Sequence, residues 1–384
     1  MCAQVLVLTL FSLACAAHAA RKPKDEDCLA CHSDSSLTKE ADGKSVSLYI
    51  NEAKLKKSIH GGMFTCVDCH KDVEASLHET PPAKISCGQC HAEAEQAYRQ
   101  SYHARANKPG GTSAATCVDC HGPVHEILPA SVAASPVNHA NIPATCGRCH
   151  GQKFLMKASG ESVQPFVSYQ ASVHGRAIER GADGAAVCTD CHGWHEILPA
   201  NDARSPIYKF NVPGTCGKCH GAVEQVFRQS IHGQAITRGN GLAPVCTDCH
   251  GIHSIKAHLD PDSPVSEQNL AGATCARCHE GVRLSQEFGV AGSRVSTYLD
   301  SYHGLASKGG SVVVANCASC HGVHNILPSS DPNSTINRAN LNATCGQCHK
   351  GVTQRFTLNK VHLDGNTAIS ARLRCDGSGE SISH

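Results

Sequence analysis

Three stretches of the chain carry a readable hydrophobic pattern. Val5 to Ala17 is a short apolar run followed by Ala17-His18-Ala19, an A-x-A-like cleavage site. Residues 1–19 therefore read as a secretory signal, although no Lys or Arg precedes the run. Ser12-Leu13-Ala14-Cys15 faintly resembles a lipid-attachment signal, with Ser12 where leucine is usual. Lys44 to Ile50 alternates polar and apolar side chains after Asp42-Gly43, the pattern of a strand in a small hairpin. Ala222 to Ile231 places Val223, Val226, Phe227 and Ile231 on one helical face. No other apolar run is long enough to span a bilayer. The rest alternates short helix-compatible segments with turns rich in Pro and Asn, such as those entered at Glu196-Ile197-Leu198-Pro199 and Asn325-Ile326-Leu327-Pro328. The expected fold is mostly irregular, with short α-helices and very little β.

Composition makes that pattern a problem of stability. A chain of 384 residues would ordinarily form two or three domains. Yet only 4% of residues are aromatic, Trp194 is the single tryptophan, and there are 34 Gly and 17 Pro. Such a chain struggles to build a conventional core. The apolar mass must come from elsewhere, and the 25 cysteines and 26 histidines indicate where.

Cys188-Thr-Asp-Cys191-His192 is a C-x-x-C-H sequence, the attachment signature of c-type haem. Two thiols at this spacing can add to the two vinyl groups of one porphyrin. The following histidine is then held beneath the iron, its neutral imidazole supplying the lone pair. The signature occurs eleven times: Cys28/Cys31/His32, Cys66/Cys69/His70, Cys87/Cys90/His91, Cys117/Cys120/His121, Cys146/Cys149/His150, Cys188/Cys191/His192, Cys216/Cys219/His220, Cys246/Cys249/His250, Cys275/Cys278/His279, Cys317/Cys320/His321 and Cys345/Cys348/His349. These use 22 of the 25 cysteines, leaving Cys2, Cys15 and Cys375. Zinc ribbons and redox dithiols also repeat C-x-x-C, but neither needs a histidine after every second cysteine. The expected array is a multihaem cytochrome c organised around eleven covalent haems, with burial of haem faces driving compaction as a structural metal does.

Residues 20–86 form an amino-terminal segment with two motifs and the hairpin. Residues 87–361 are tandem repeats. Cys87, Cys117 and Cys146 recur 129 residues later at Cys216, Cys246 and Cys275, and Cys188 and Cys216 recur at Cys317 and Cys345. One period holds about four haems. Residues 362–384 form a tail in which Cys375 lies 129 residues after Cys246. There Ser378 and Gly379 replace the second cysteine and the histidine, so the tail reads as a decayed or truncated repeat without a twelfth thioether site.

Excluding His18 and the eleven motif histidines, fourteen remain. Six end S-x-H or K-V-H phrases: His60, His103, His174, His232, His303 and His362. Five follow a motif closely: His78, His125, His195, His253 and His324. Together they supply one second axial ligand per haem. His139, His258 and His384 are left over and read as surface side chains; Lys209 stands at the repeat position of His139. His195 is three residues after His192, a span of at most about 10–11 Å. Two imidazoles on opposite faces of one iron need Cα atoms about 13 Å apart or more, given metal–nitrogen bonds of about 2 Å. His195, and likewise His125, His253 and His324, should therefore serve a haem other than that of the adjacent motif.

Bis-histidine ligation closes the iron to substrate and lowers its potential relative to Met/His ligation. With only Met1, Met63 and Met156 present, methionine ligands are not expected. The main expectation is an electron carrier rather than an enzyme. A multihaem reductase or oxidase with one open haem, or a subunit of an extracellular cytochrome filament, are the alternatives. The polypeptide carries a formal charge of +1, but eleven haems bring it to about −10 oxidised and about −21 reduced if every propionate ionises. That balance argues against a nucleic-acid partner. Lys54, Lys56 and Lys57 read as solvating or propionate-neutralising side chains.

The C-H-G-x-H-E-I-L-P … S-P … N-x-P-x-T-C-G-x-C-H phrases of residues 120–150 and 191–220, with their S-x-H-G lead-ins, resemble the multihaem c-type cytochromes of anaerobic respiration. In particular they resemble the doubled-CxxCH, cytochrome c3-like group, whose first-haem segment is similar to Asp42-Gly43-Lys44 through His60-Gly61. The resemblance implies a periplasmic or extracellular relay. Its partners would be redox proteins, either a quinol-linked membrane cytochrome b or other multihaem cytochromes.

Overall fold

The computed structural model describes residues 22–41, 43–78, 80–106, 114–281, 286, 288–289, 292–358 and 361–362. The expected signal segment, Cys2, Cys15, and the tail bearing Cys375 and His384 lie outside them. The described chain is helical and irregular, and its α-helices run four to nine residues. Its described residues pack as two units, one within residues 1–96 and 115–138 and one within 97–114 and 139–384.

In the first unit, helix Asp25–His32 leads into a hairpin of β1 (Thr38–Ala41) and β2 (Lys44–Ser47), paired from Thr38↔Ser47 to Ala41↔Lys44. Gly43 turns the chain at φ 72°, a conformation glycine adopts without strain. The alternating pattern predicts a strand through Ile50, but β2 stops at Ser47. The groups beyond it are committed to the first motif: the Leu48 carbonyl accepts from His32 Nδ1 at 2.8 Å, and the Ile50 N–H donates to the His32 carbonyl at 2.7 Å. Helix Glu52–Lys57, capped by Asn51 Oδ1, packs against the turn Val124–Glu126. Its Lys54–Glu126 ion pair at 2.9 Å is solvent-exposed and contributes little.

The second unit repeats one design. The segment expected as a helix over Ala222–Ile231 is two helices, Gly221–Gln229 and Ile231–Thr237, broken at Ser230. The Ser230 hydroxyl donates to the Phe227 carbonyl at 2.6 Å and accepts from the Gly233 N–H at 3.1 Å, ending one helix and capping the next. The Pro- and Asn-rich turns are hydrogen-bonded scaffolds. The hydroxyls of Ser205, Ser263 and Ser334, and of Ser135 in the first unit, donate to the carbonyls of Leu198, Lys256, Leu327 and Leu128 at 3.1–3.5 Å. The side-chain amides of Asn211, Asn269 and Asn340 donate to the carbonyls of Ser205, Ser263 and Ser334 at 2.9–3.0 Å.

What these elements do not make is an apolar interior. Among the described residues only twelve hydrophobic side chains are buried, and the sole aromatic among them is Tyr298. Nine serines are buried beside them, whereas globular interiors are filled by large apolar side chains. The apolar face of Gly221–Gln229 stays uncovered by protein, with Val223 41% and Val226 39% exposed. Among the described residues no helix is long and apolar enough to cross a membrane.

Candidate haem-binding sites

Most of the C-x-x-C-H motifs stand on one helical turn. Cys117–His121, Cys188–His192, Cys246–His250 and Cys317–His321 are five-residue helices, and the His70, His91, His220 and His349 N–H groups each donate to the carbonyl of the motif's first cysteine at 2.9 Å. Positions i, i+3 and i+4 share a helical face, so both sulfurs and the imidazole are presented together. In four motifs the residue before the second cysteine is an aspartate that caps the turn. Asp68, Asp119, Asp190 and Asp248 each accept at 2.7 Å from the N–H of the residue before the first cysteine. Ser319 takes this role at Cys317. After the histidine, Gly122, Gly193, Gly251 and Gly322 have φ between 77° and 90° with an extended ψ, a region only glycine enters freely. The phrase C-H-G is therefore one turn and its exit.

The sequence presents the two cysteines of a motif as equivalent attachment thiols, but the fold separates them. Apart from Cys87, every first cysteine is half-buried. Most second cysteines are exposed: Cys31, Cys149, Cys219 and Cys348 are, as are Cys69, Cys90, Cys191 and Cys278. Cys120 is half-buried, together with Cys249 and Cys320. The difference follows from position, since the first thiol opens the turn against neighbouring chain and the second stands one turn further on. None of these 22 cysteines forms a disulfide, so no cross-link competes with thioether formation.

The S-x-H-G phrases are built as capped turns, and all but that of Ser58 open a helix. Each serine hydroxyl, at Ser58, Ser101, Ser172, Ser230 and Ser301, accepts the N–H three residues on at 3.0–3.2 Å. The glycine is sterically required: a Cβ on Gly61, Gly175, Gly233 or Gly304 would stand 2.1–2.2 Å from a backbone oxygen of the preceding segment. Ala104 occupies this place in the phrase of His103, and nothing in the structure explains that exception. Sequence reasoning missed the capping serines and aspartates, although both recur in register with the ligands.

The histidines meet in pairs, each joining one motif histidine to one from the recurring phrases. Ring-centroid distances are 6.3 Å for His32–His78, 6.0 Å for His60–His91, 6.3 Å for His70–His125 and 6.2 Å for His103–His150. They are 6.3 Å for His174–His220, 6.0 Å for His192–His253 and 6.1 Å for His232–His279. The last three are 6.0 Å for His250–His324, 6.0 Å for His303–His349 and 6.3 Å for His321–His362. Two imidazoles sharing one metal, with bonds of about 2.0–2.1 Å and about 1.1 Å from nitrogen to ring centre, have centroids about 6.2–6.4 Å apart. The rings are thus spaced for one metal atom between them. His121 and His195 belong to different units. His258 is exposed, and His139 lies 2.9 Å from the capping Asp190, much as Lys209 lies 3.6 Å from Asp248.

The pairs fall into two geometries. Those using His78, His125, His253 and His324 are near-parallel, with ring planes 2–28° apart. Those using S-x-H or K-V-H histidines are crossed at 48–61°. Burial keeps the rings neutral, the lone-pair-bearing form. Desolvation pulls His192 and His232 down to about 4 and lowers His103, His150, His250 and His321 as well. Where Nδ1 donates to a carbonyl, as in His32 to Leu48, Nε2 is left free for metal.

Consecutive motifs also approach one another through their sulfurs. The first cysteines pair by hydrogen bond as Cys28–Cys66, Cys87–Cys117, Cys146–Cys188, Cys216–Cys246 and Cys275–Cys317. The intervening steps bring second cysteines near the next motif: Cys69 to Cys90, Cys191 to Cys216, Cys249 to Cys278, and Cys320 to Cys345. Within each unit the motifs are therefore spatial neighbours in sequence order.

Repeated haem-attachment turns on a fold with almost no strand define a multihaem c-type cytochrome, a protein of electron transfer. Curated relatives are of this class. Over 157 residues the chain is 27% identical to the cytochrome c-type protein NrfB of Escherichia coli O6:H1, covering 39% of this chain and 71% of that protein. Over 303 residues it is 25% identical to the high-molecular-weight cytochrome c of Nitratidesulfovibrio vulgaris, covering 66% of this chain and 53% of that one. No protein-family profile and no solved structure matches the chain.

Proposed function

We propose that the chain binds eleven haems and serves as an electron conduit of anaerobic respiration, exported to the periplasm. The carrying observation is the set of ten imidazole pairs at one-metal spacing, each combining a motif histidine with one from a recurring phrase. His121 and His195 are included as ligands on their recurring phrases alone. The paired cysteines of each motif form the two thioether bonds. Haem so bound supplies a one-electron ferric/ferrous couple.

The chain's residues do the rest. The paired imidazoles would hold each iron and leave substrate no place to bind, while the proximity of successive motifs would keep the haems close enough for electron transfer in sequence order within each unit. The partners are other redox proteins, a quinol-linked cytochrome b or further multihaem cytochromes. Mass spectrometry of the mature holoprotein tests the stoichiometry: eleven covalent haems add about 6.8 kDa to the polypeptide. A smaller increment would remove motifs from the ligand set.

A further inference from the structure

Four S-x-H phrases share a contact that capping does not require. The N–H of the residue between serine and histidine opens a helix at Tyr102, Val173 and Ile231 and a turn at Ile59, a group normally left to solvent. Here it donates to the carbonyl of an isoleucine two residues after a motif-following histidine. The bonds are Ile59 to Ile127 at 2.7 Å, and Tyr102 to Ile197, Val173 to Ile255 and Ile231 to Ile326 at 2.8 Å. Each joins the residue before one proposed axial ligand to the residue two places after another. The linked pairs are His60 with His125, His103 with His195, His174 with His253, and His232 with His324. At the fifth phrase, Tyr302 has no such acceptor among the described residues and is 82% exposed.

The placement is systematic. His232 faces His279 of the ninth motif, and His324 faces His250 of the eighth. His174 and His253 serve the seventh and sixth motifs in the same way, and His60 and His125 the third and second. The first-cysteine contacts join the steps on either side of these. One member of each of these three pairs is crossed and the other near-parallel, 56° at His232 and 20° at His324.

We propose that these backbone hydrogen bonds are clamps that each help position the distal ligands of two successive haems, so that loss of one clamp disturbs both. The inference rests on the ligand roles proposed above. The residues involved are positioning residues: the capping serine fixes its own histidine, and the clamp ties that histidine to its neighbour's.

The clamp can be removed without breaking the helix. Ile231 is the first residue of its helix, where proline is favoured. Ser230 before it has φ −69° and ψ 161°, the extended conformation that precedes proline. Ile231→Pro therefore deletes the donor, while Ile231→Ala removes the side chain and keeps it. Low-temperature electron paramagnetic resonance of the oxidised holoprotein separates near-parallel from crossed bis-histidine haems. Ile231→Pro should shift one haem equivalent in each family, Ser230→Ala one in the crossed family only, and Ile231→Ala none. His232→Met is the reference for the ligand role itself. If it removes one crossed haem signal while Ile231→Pro changes only one family or neither, the clamp is wrong. If it changes nothing, the ligand reading fails instead. Should Ile231→Pro not assemble, hydrogen exchange on the unmodified holoprotein decides: slow exchange at Ile231 with fast exchange at Tyr302 supports the clamp, and equally fast exchange overturns it.

Discussion

Produced without haem attachment, the polypeptide should fail to fold, losing most of its helical circular dichroism and its resistance to limited proteolysis. The described chain buries twelve hydrophobic side chains, and its tightest apolar cluster comprises Val212, Ile236, Ala243 and Val245. Folding has to offset the ordering entropy of every residue, and a core this small offsets little of it. Helices of nine residues or fewer are not stable in isolation either. The deficit matches the exposed Val223, Val226 and Trp194, which a porphyrin could cover and the chain does not. Cofactor binding and folding are then one event. A haem-free chain that kept native helicity and protease resistance would show a core of its own.

Replacing His232 by methionine should raise the potential of one haem by about 0.1–0.3 V, within the range of about 0.8 V that axial ligands set, and leave the covalent haem count unchanged. Thioether is a softer, weaker donor than imidazole, so it disfavours the ferric state relative to ferrous. His232 is half-buried, 6.1 Å from His279 between ring centres, and the attachment cysteines Cys275 and Cys278 are untouched by the change. A redox titration should show one component displaced upward. Mass spectrometry should show no loss of haem. An unaltered titration would remove His232 from the ligand set.

Much of this was legible because the chemistry is local. Two thiols and an imidazole within five residues declare their cofactor wherever they lie, and the 129-residue period exposes their order. The three-residue gap between His250 and His253 excludes a shared iron; in the fold His253 stands opposite His192 instead. What was not legible depends on distant partners. Nothing in Lys44–Ile50 says that the Leu48 carbonyl will serve His32, so the strand reads three residues too long. Ser230 looks like a neutral position in an amphipathic helix until Gly233 and the Phe227 carbonyl make it a break. Which distal histidine meets which motif rests on loop paths, such as the stapled turn between Leu198 and Ser205, that hydrophobic periodicity does not encode.

A closed conduit requires every iron to be held between two imidazoles. Low-temperature electron paramagnetic resonance of the fully oxidised protein, integrated against its haem content, measures this directly. The predicted spectrum is low-spin throughout, in two families that follow the near-parallel and crossed ring pairs. A high-spin ferric signal integrating to one haem would mean an open coordination site, and a catalytic centre in place of a closed conduit.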